Sequence, residues 1–195
     1  MKLRLGFPSV IACGLWFVVA AVAANHHPSP DLASADRKIA HLEANGRAAH
    51  PDHKPTVMTE AEINAYLASD EVEFPAGVQS VRLSGRDQVI SGVAKVDFDK
   101  VREGAGSSNP LLSIFSGVHD VQVEAHAYGR GGQGYVHVDS VSLDGVEVPQ
   151  FVLRLFVEKY ITPRYANIGI DSRFKLPDRI DSATVGQHQV QLVQK

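Results

Sequence analysis

The chain has nine histidines and a single cysteine, so any metal chemistry rests on imidazole and carboxylate and not on clusters of thiolate. Neutral imidazole nitrogen binds zinc, copper or nickel. His26, His27, His41, His50 and His53 crowd one polar stretch, but their spacings match no structural zinc pattern and there is no H-E-x-x-H. The plain alternative is a soluble, histidine-rich tether. A second grouping depends on strand pairing. If Tyr128 sits opposite Tyr135, then His126 faces His137 and Glu124 faces Asp139 on one side of a hairpin. Two imidazoles and two carboxylates can hold a transition metal. They also make an ordinary solvent-facing sheet surface, and a slip of one residue scatters them. No cofactor and no metal are expected, with Glu124, His126, His137 and Asp139 as the set to check.

Nucleophilic chemistry has less to stand on. Ser113, Ser116 and His119 lie close in sequence, yet no G-x-S-x-G elbow surrounds either serine. Asp120, beside His119, would face the opposite side of a strand. Gly129, Gly131 and Gly134 spell G-x-G-x-x-G, which serves a dinucleotide only when a helix follows to present its N-terminus. Here Tyr135-Val136-His137-Val138 follows, a strand, so the three glycines are expected to supply the positive φ angles of a hairpin turn. A non-catalytic protein is expected.

The elements that must position these residues follow from periodicity. Residues 25–58 read as a polar leader with Pro28, Pro30, Pro51 and Pro55, carrying a helix from about Asp31 to Asn45 whose thin stripe of Leu32, Ala35, Ile39 and Leu42 predicts weak packing or a helix that waits for a partner. Residues 59–195 read as one domain. Thr59 and Glu62 have capping-box spacing at the start of a helix. From Val78 the period becomes two, giving a hairpin that turns at Gly85-Arg86-Asp87 and runs on to Phe98. A second hairpin spans Val118 to Leu143, with a bulge near Ser140 where Val141 and Leu143 break the alternation. Pro149 opens an apolar helix, Phe151 to Ile161, that Pro163 ends. Ile180–Val185 and Val190–Val193 close the chain as a hairpin around Gly186. The fold class is α+β, an antiparallel sheet of hairpins wrapped on helices.

The first residues point out of the cytoplasm. Lys2 and Arg4 precede an apolar run from Leu5 to Ala24 that ends in small residues, the order of a secretory signal peptide. Cleavage fits after Ala23 or after Ala24, and the second is preferred. An uncleaved anchor is the rival, since about 20 apolar residues span a bilayer; Pro8 and the small-residue exit argue against it. A lipidated Cys13 is disfavoured because the apolar run continues through Trp16 and Val19. Loss of residues 1–24 removes the only cysteine, leaving no internal disulfide, and leaves 17 basic against 22 acidic residues, a net charge of -5. That excludes an electrostatic case for nucleic acid.

Three stretches carry a resemblance. Thr59-Glu60-Ala61-Glu62-Ile63-Asn64-Ala65-Tyr66-Leu67, then Leu143-Asp144-Gly145-Val146-Glu147-Val148-Pro149 before the apolar helix, then Leu176-Pro177 with Ile180, Val185 and Val190, resemble exported bacterial families of unknown function that are similar to the TULIP-like lipid-binding superfamily. The resemblance covers about Thr59 to Val193 and implies a curved antiparallel sheet around a long apolar helix, with a groove for lipid tails. It implies a non-catalytic carrier in the periplasm or cell envelope, with a lipid or other apolar small molecule as ligand. Envelope proteins and the membrane surface are further candidate partners. A sheet closed round a helix leaves either a filled core or a lined cavity. Phe98, Leu111, Leu112, Phe115, Phe151, Leu155 and Phe156 are the candidate lining; the alternative is that they pack as core, in a structural or interaction protein with no ligand.

Overall fold

The computed structural model describes residues 29–103, 110, 113–165 and 167–195. The expected signal at residues 1–24 lies outside the described residues, as do His26, His27, Leu111 and Leu112.

Helix α1 spans Pro30–Arg47, with the Ser29 side chain accepting a hydrogen bond from the Leu32 N–H and Pro30 in the first turn, where a missing N–H costs nothing. Its thin stripe predicts weak packing; the structure shows the reverse. Ala35, Ile39 and Leu42 are buried. Ala35 and Ile39 close with Met58, Ile63, Tyr66, Val190 and Leu192 into one apolar cluster. Gln194, 2% exposed, donates to the carbonyls of Leu42 and Asp178. Gly46 is needed there because a Cβ would lie 2.6 Å from the Asp178 carbonyl oxygen. Polar side chains and backbone contacts, which periodicity does not register, add to this apolar cluster in holding the helix to the rest of the fold.

Strand β1 (Thr56–Thr59) leads into α2 (Glu60–Leu67), which starts on the predicted capping box. The Thr59 hydroxyl accepts from the Glu62 N–H at 3.2 Å, and the Glu62 carboxylate accepts from the Thr59 N–H at 2.7 Å. Then follow β2 (Val78–Arg86), β3 (Val89–Asp97), a short α3 (Phe98–Val101), β4 (Val118–Arg130), β5 (Gln133–Leu143) and β6 (Val146–Glu147). Helix α4 (Gln150–Phe156) continues as a π-helical turn, Val157–Ile161, before β7 (Asp171–Lys175), β8 (Ile180–Gly186) and β9 (Gln189–Gln194).

The described strands form one nine-stranded sheet in which every pairing is antiparallel. The molecule is α+β. Strand β4 pairs along its length with β5; on its other edge it pairs with β3 as far as His126, then with β8 at Tyr128 and Gly129. Two hairpins, β2–β3 and β8–β9, therefore meet tip to tip along one strand. The Gln88 N–H donates to Val185 O, and the His188 N–H donates to Gly85 O. The outer edge of β2 is met by α2: Asn64 exchanges two hydrogen bonds with the Leu83 backbone, at 2.7 and 2.8 Å, and Glu60 accepts from the Gly85 N–H. Side chains thus blunt an edge that could otherwise pair with another chain.

Among the described residues the expected long apolar helix is not found. Seven α-helical residues and five in the π-helical turn lie between Pro149 and Pro163, and only Val152, Leu153, Phe156 and Tyr160 are buried along them. Phe151 is 60% exposed, and Arg154, Glu158 and Lys159 are exposed, so one side of this helix meets the sheet and the rest meets solvent.

Candidate functional site

The β4–β5 register is the one that places the histidines together: Tyr128 pairs with Tyr135 and His126 with His137. Glu124 instead pairs with Ser140, because Asp139 is the extra residue of a bulge between the Glu124 and Ala125 pairings. The expected bulge is there, one residue earlier. It redirects Asp139 toward His126, whose Nδ1 lies 2.7 Å from the Asp139 carboxylate. His137 Nδ1 lies 2.6 Å from Asp171 on β7, a partner that sequence reasoning missed because β7 carries no clear alternation. Each imidazole is tied to its own carboxylate. Among the described residues no group of three or more His, Cys, Asp or Glu side chains is placed to hold a metal ion. His126, Asp139, Glu124 and Arg86 border a shallow surface concavity of about 620 Å³, in which Arg86 already bridges to Glu124 at 3.3 Å.

The glycine motif divides. Gly131 has φ of +60° and Gly132 of +74°, so these two make the turn. Gly129 and Gly134 are paired strand residues with no positive φ, contrary to the expectation for them. They are small for another reason: a Cβ on Gly129 would lie 2.8 Å from the Ala183 nitrogen, and one on Gly134 would lie 2.5 Å from the Phe174 ring.

His119 forms no triad with Ser113 or Ser116. Its Nδ1 is 2.6 Å from an Asp144 carboxylate oxygen and its Nε2 is 2.8 Å from the Ser116 carbonyl oxygen. Both neighbours only accept, so both ring nitrogens must carry protons, which is the imidazolium form. The Asp144 hydrogen bond, helped by Ser116, accordingly raises the His119 pKa above its ordinary 6.5 and lowers that of Asp144. The Asp144 carboxylate also accepts from the Asp120 N–H at 2.9 Å, so the pair staples the β5–β6 turn to the start of β4. A raised folded-state pKa contributes stability that is complete below 6.5 and lost as pH rises through the folded value. In Asp144→Asn, NMR titration is expected to return the His119 midpoint toward 6.5; an unmoved midpoint would contradict this pairing.

The candidate apolar lining splits into three. Phe98, Phe115 and Phe156 are 5%, 1% and 6% exposed and lie on one another, with ring centroids 4.1 Å apart for Phe115 and Phe156, 5.3 Å for Phe98 and Phe115, and 5.5 Å for Phe98 and Phe156. Leu155 is partly buried against the same cluster, and exposed Phe151 is not part of it. Leu111 and Leu112 are outside the described residues.

Register shows an apolar surface that was not singled out from sequence. On the face carrying Val121, Val123, Ala125 and Ala127, successive cross-strand rows are Val81, Ala94, Val121 and Leu143; then Leu83, Gly92, Val123 and Val141; then Gly85, Ile90, Ala125 and Val138. Ala127 with Val136 begins a fourth, and the pairing of Gly129 with Ala183 extends the same face to Val185 and Val190. Helix α4 covers one end of this face and α1 with α2 the other, giving two separate core clusters. Between them Leu83, Ile90 and Val136 are partly buried and belong to neither cluster, and the floor beside them is Gly85, Ala125 and Ala127. Among the described residues no helix is long and apolar enough to cross a membrane.

No protein-family model matches the chain, and neither the curated proteins nor the solved structures yield a match.

Proposed function

We propose that this is an exported, non-catalytic protein that binds the apolar part of a lipid, or of a similar small molecule, in the cell envelope. The observation that supports it is the strip between the two cores, where Leu83, Ile90 and Val136 lie beside Gly85, Ala125 and Ala127 on one face of the sheet and remain only partly buried. Leu83, Ile90 and Val136 keep part of their surface in water beside the buried Ala125 and Ala127, and each ligand methylene that takes such surface out of water contributes about 0.8 kcal/mol. The sheet curving round its helices in a TULIP-like manner is part of the same proposal, resting on the three stretches of resemblance.

A fluorescent fatty-acid probe tests the location. Ile90→Asn puts an amide against the tail and is expected to weaken binding roughly tenfold, the loss of about 1.4 kcal/mol. Val93→Asn, at a half-exposed position on the opposite face, is expected to leave binding unchanged. Equal binding by both variants would contradict the strip as the site.

The second reading, a structural or interaction protein of the envelope without a ligand, is favoured by the closed aromatic cluster of Phe98, Phe115, Phe156 and Tyr160. Folded protein that takes up no apolar probe would support it.

A further inference from the structure

We propose that the outer face of β4, β5 and β7, at the hairpin end, docks onto an anionic lipid bilayer. This concerns the face opposite the apolar strip and does not depend on whether a ligand lies in that strip. The register puts Tyr128, Tyr135 and Arg173 in one cross-strand row, and Arg130, Gln133 and Lys175 in the next row on the same face. The tyrosine rings stack with centroids 5.0 Å apart, and the Arg173 guanidinium lies 5.2 Å from the Tyr135 ring. Tyr128 is 48% exposed, and Arg130, Arg173 and Lys175 are exposed. None of these three cations has a carboxylate within 4.0 Å among the described residues, unlike Arg86, Lys95, Lys100 and Lys195, which each do.

The placement matters because the protein as a whole is acidic. A single-sign cluster surviving on an acidic chain is a local field that a negative surface can use. Neighbouring charge is ordered along the face: Asp171 and Asp139 sit on the side away from the hairpin tip and are each bound to a histidine. The tip side is therefore the positive end. Tyrosine is suited to the same place, since its ring sits among headgroups while its hydroxyl stays wet. Strands about 4.8 Å apart hold the backbones of Arg130, Gln133 and Lys175 in one hydrogen-bonded row, so the two cations start close together on one face.

Flotation with vesicles tests this, using protein recovered in soluble form from a host expressing the full chain. Binding to phosphatidylcholine vesicles is expected to rise when phosphatidylglycerol is included, and to fall when ionic strength is raised and the screening length shrinks. Each cation near such a surface contributes roughly a fivefold factor, so Arg130→Gln, Arg173→Gln and Lys175→Gln together should weaken binding about a hundredfold. Replacing both arginines by lysine should preserve it. All three positions are exposed, and an unchanged melting temperature would show that the triple variant is folded. Indifference to phosphatidylglycerol, equal binding by the triple variant, or displacement by glycerol phosphate at constant ionic strength would each overturn the proposal.

Discussion

Phe115→Ala is expected to destabilise the protein by about 3–5 kcal/mol, the usual range for emptying a buried aromatic site. Phe115 is 1% exposed and lies between two other rings, stacked on Phe156 and tilted against Phe98, so the neighbours cannot collapse into the space without breaking their own contacts. For a domain of this size the loss corresponds to a fall in Tm of roughly 6–20 °C. Tyr160→Phe is the internal comparison. Tyr160 is equally buried, and its hydroxyl has no hydrogen-bond partner among the described residues, so removing that oxygen should cost nothing and can raise Tm. Thermal unfolding of the two variants side by side checks the pair. A small effect at Phe115 would mean that the α4 end of the sheet is loosely packed.

The second large effect is expected at Glu62. Burial alone would raise its pKa, and that is the largest single influence; the hydrogen bonds from Lys38, Ser34 and the Thr59 N–H, with the Lys38 charge, together outweigh it and bring the carboxyl down to about 2. The geometry agrees, with Lys38 Nζ at 2.6 and 2.7 Å from the two carboxylate oxygens and the Ser34 hydroxyl at 2.6 Å. A depressed folded-state pKa contributes stability that is present above the unfolded value, near 4.5, and is lost as pH falls through about 2. The shift corresponds to on the order of 3 kcal/mol. Glu62→Gln should therefore lose about 2–3 kcal/mol at neutral pH and show a flatter stability curve between pH 4.5 and 2 than the parent, by denaturant titration at each pH. A parallel pair of curves would contradict this account of the α1–α2 contact.

Local rules read much of this fold. The Thr59–Glu62 cap, both central hairpins, the Tyr128–Tyr135 register and the closing hairpin all follow from alternation and turn residues, because each is decided by neighbours in sequence. The bulge was legible too, since Val141 and Leu143 could reach the inner face only if one residue were extra. What was not legible depends on distant partners. Strand β7 is ordered by pairing with β5, and β1 by pairing with β9, neither announced by its own pattern. Helix α1 docks through its apolar stripe and also through Gln194 and through Lys38 reaching Glu62, contacts that no hydrophobic stripe reports.

The candidate site was legible in the same uneven way. The pairing of His126 with His137 could be derived, but the bulge at Asp139 takes Glu124 out of that set and Asp171 comes from a distant strand, so the structure has two separate histidine–carboxylate pairs where unbroken register would group four side chains. The aromatic residues were found from their places in apolar segments, which do not say whether rings close on one another or stand apart. The strip of Leu83, Ile90 and Val136 becomes visible only when the cross-strand rows are aligned, because its members come from three different strands.

The central claim is that the protein carries an apolar ligand, and organic extraction followed by mass spectrometry of the protein, purified without detergent beside an unrelated control produced in the same way, tests it most directly. A lipid present in stoichiometric amount and absent from the control is the predicted result. Protein that is folded, free of lipid, and takes up none when lipid is added would contradict it.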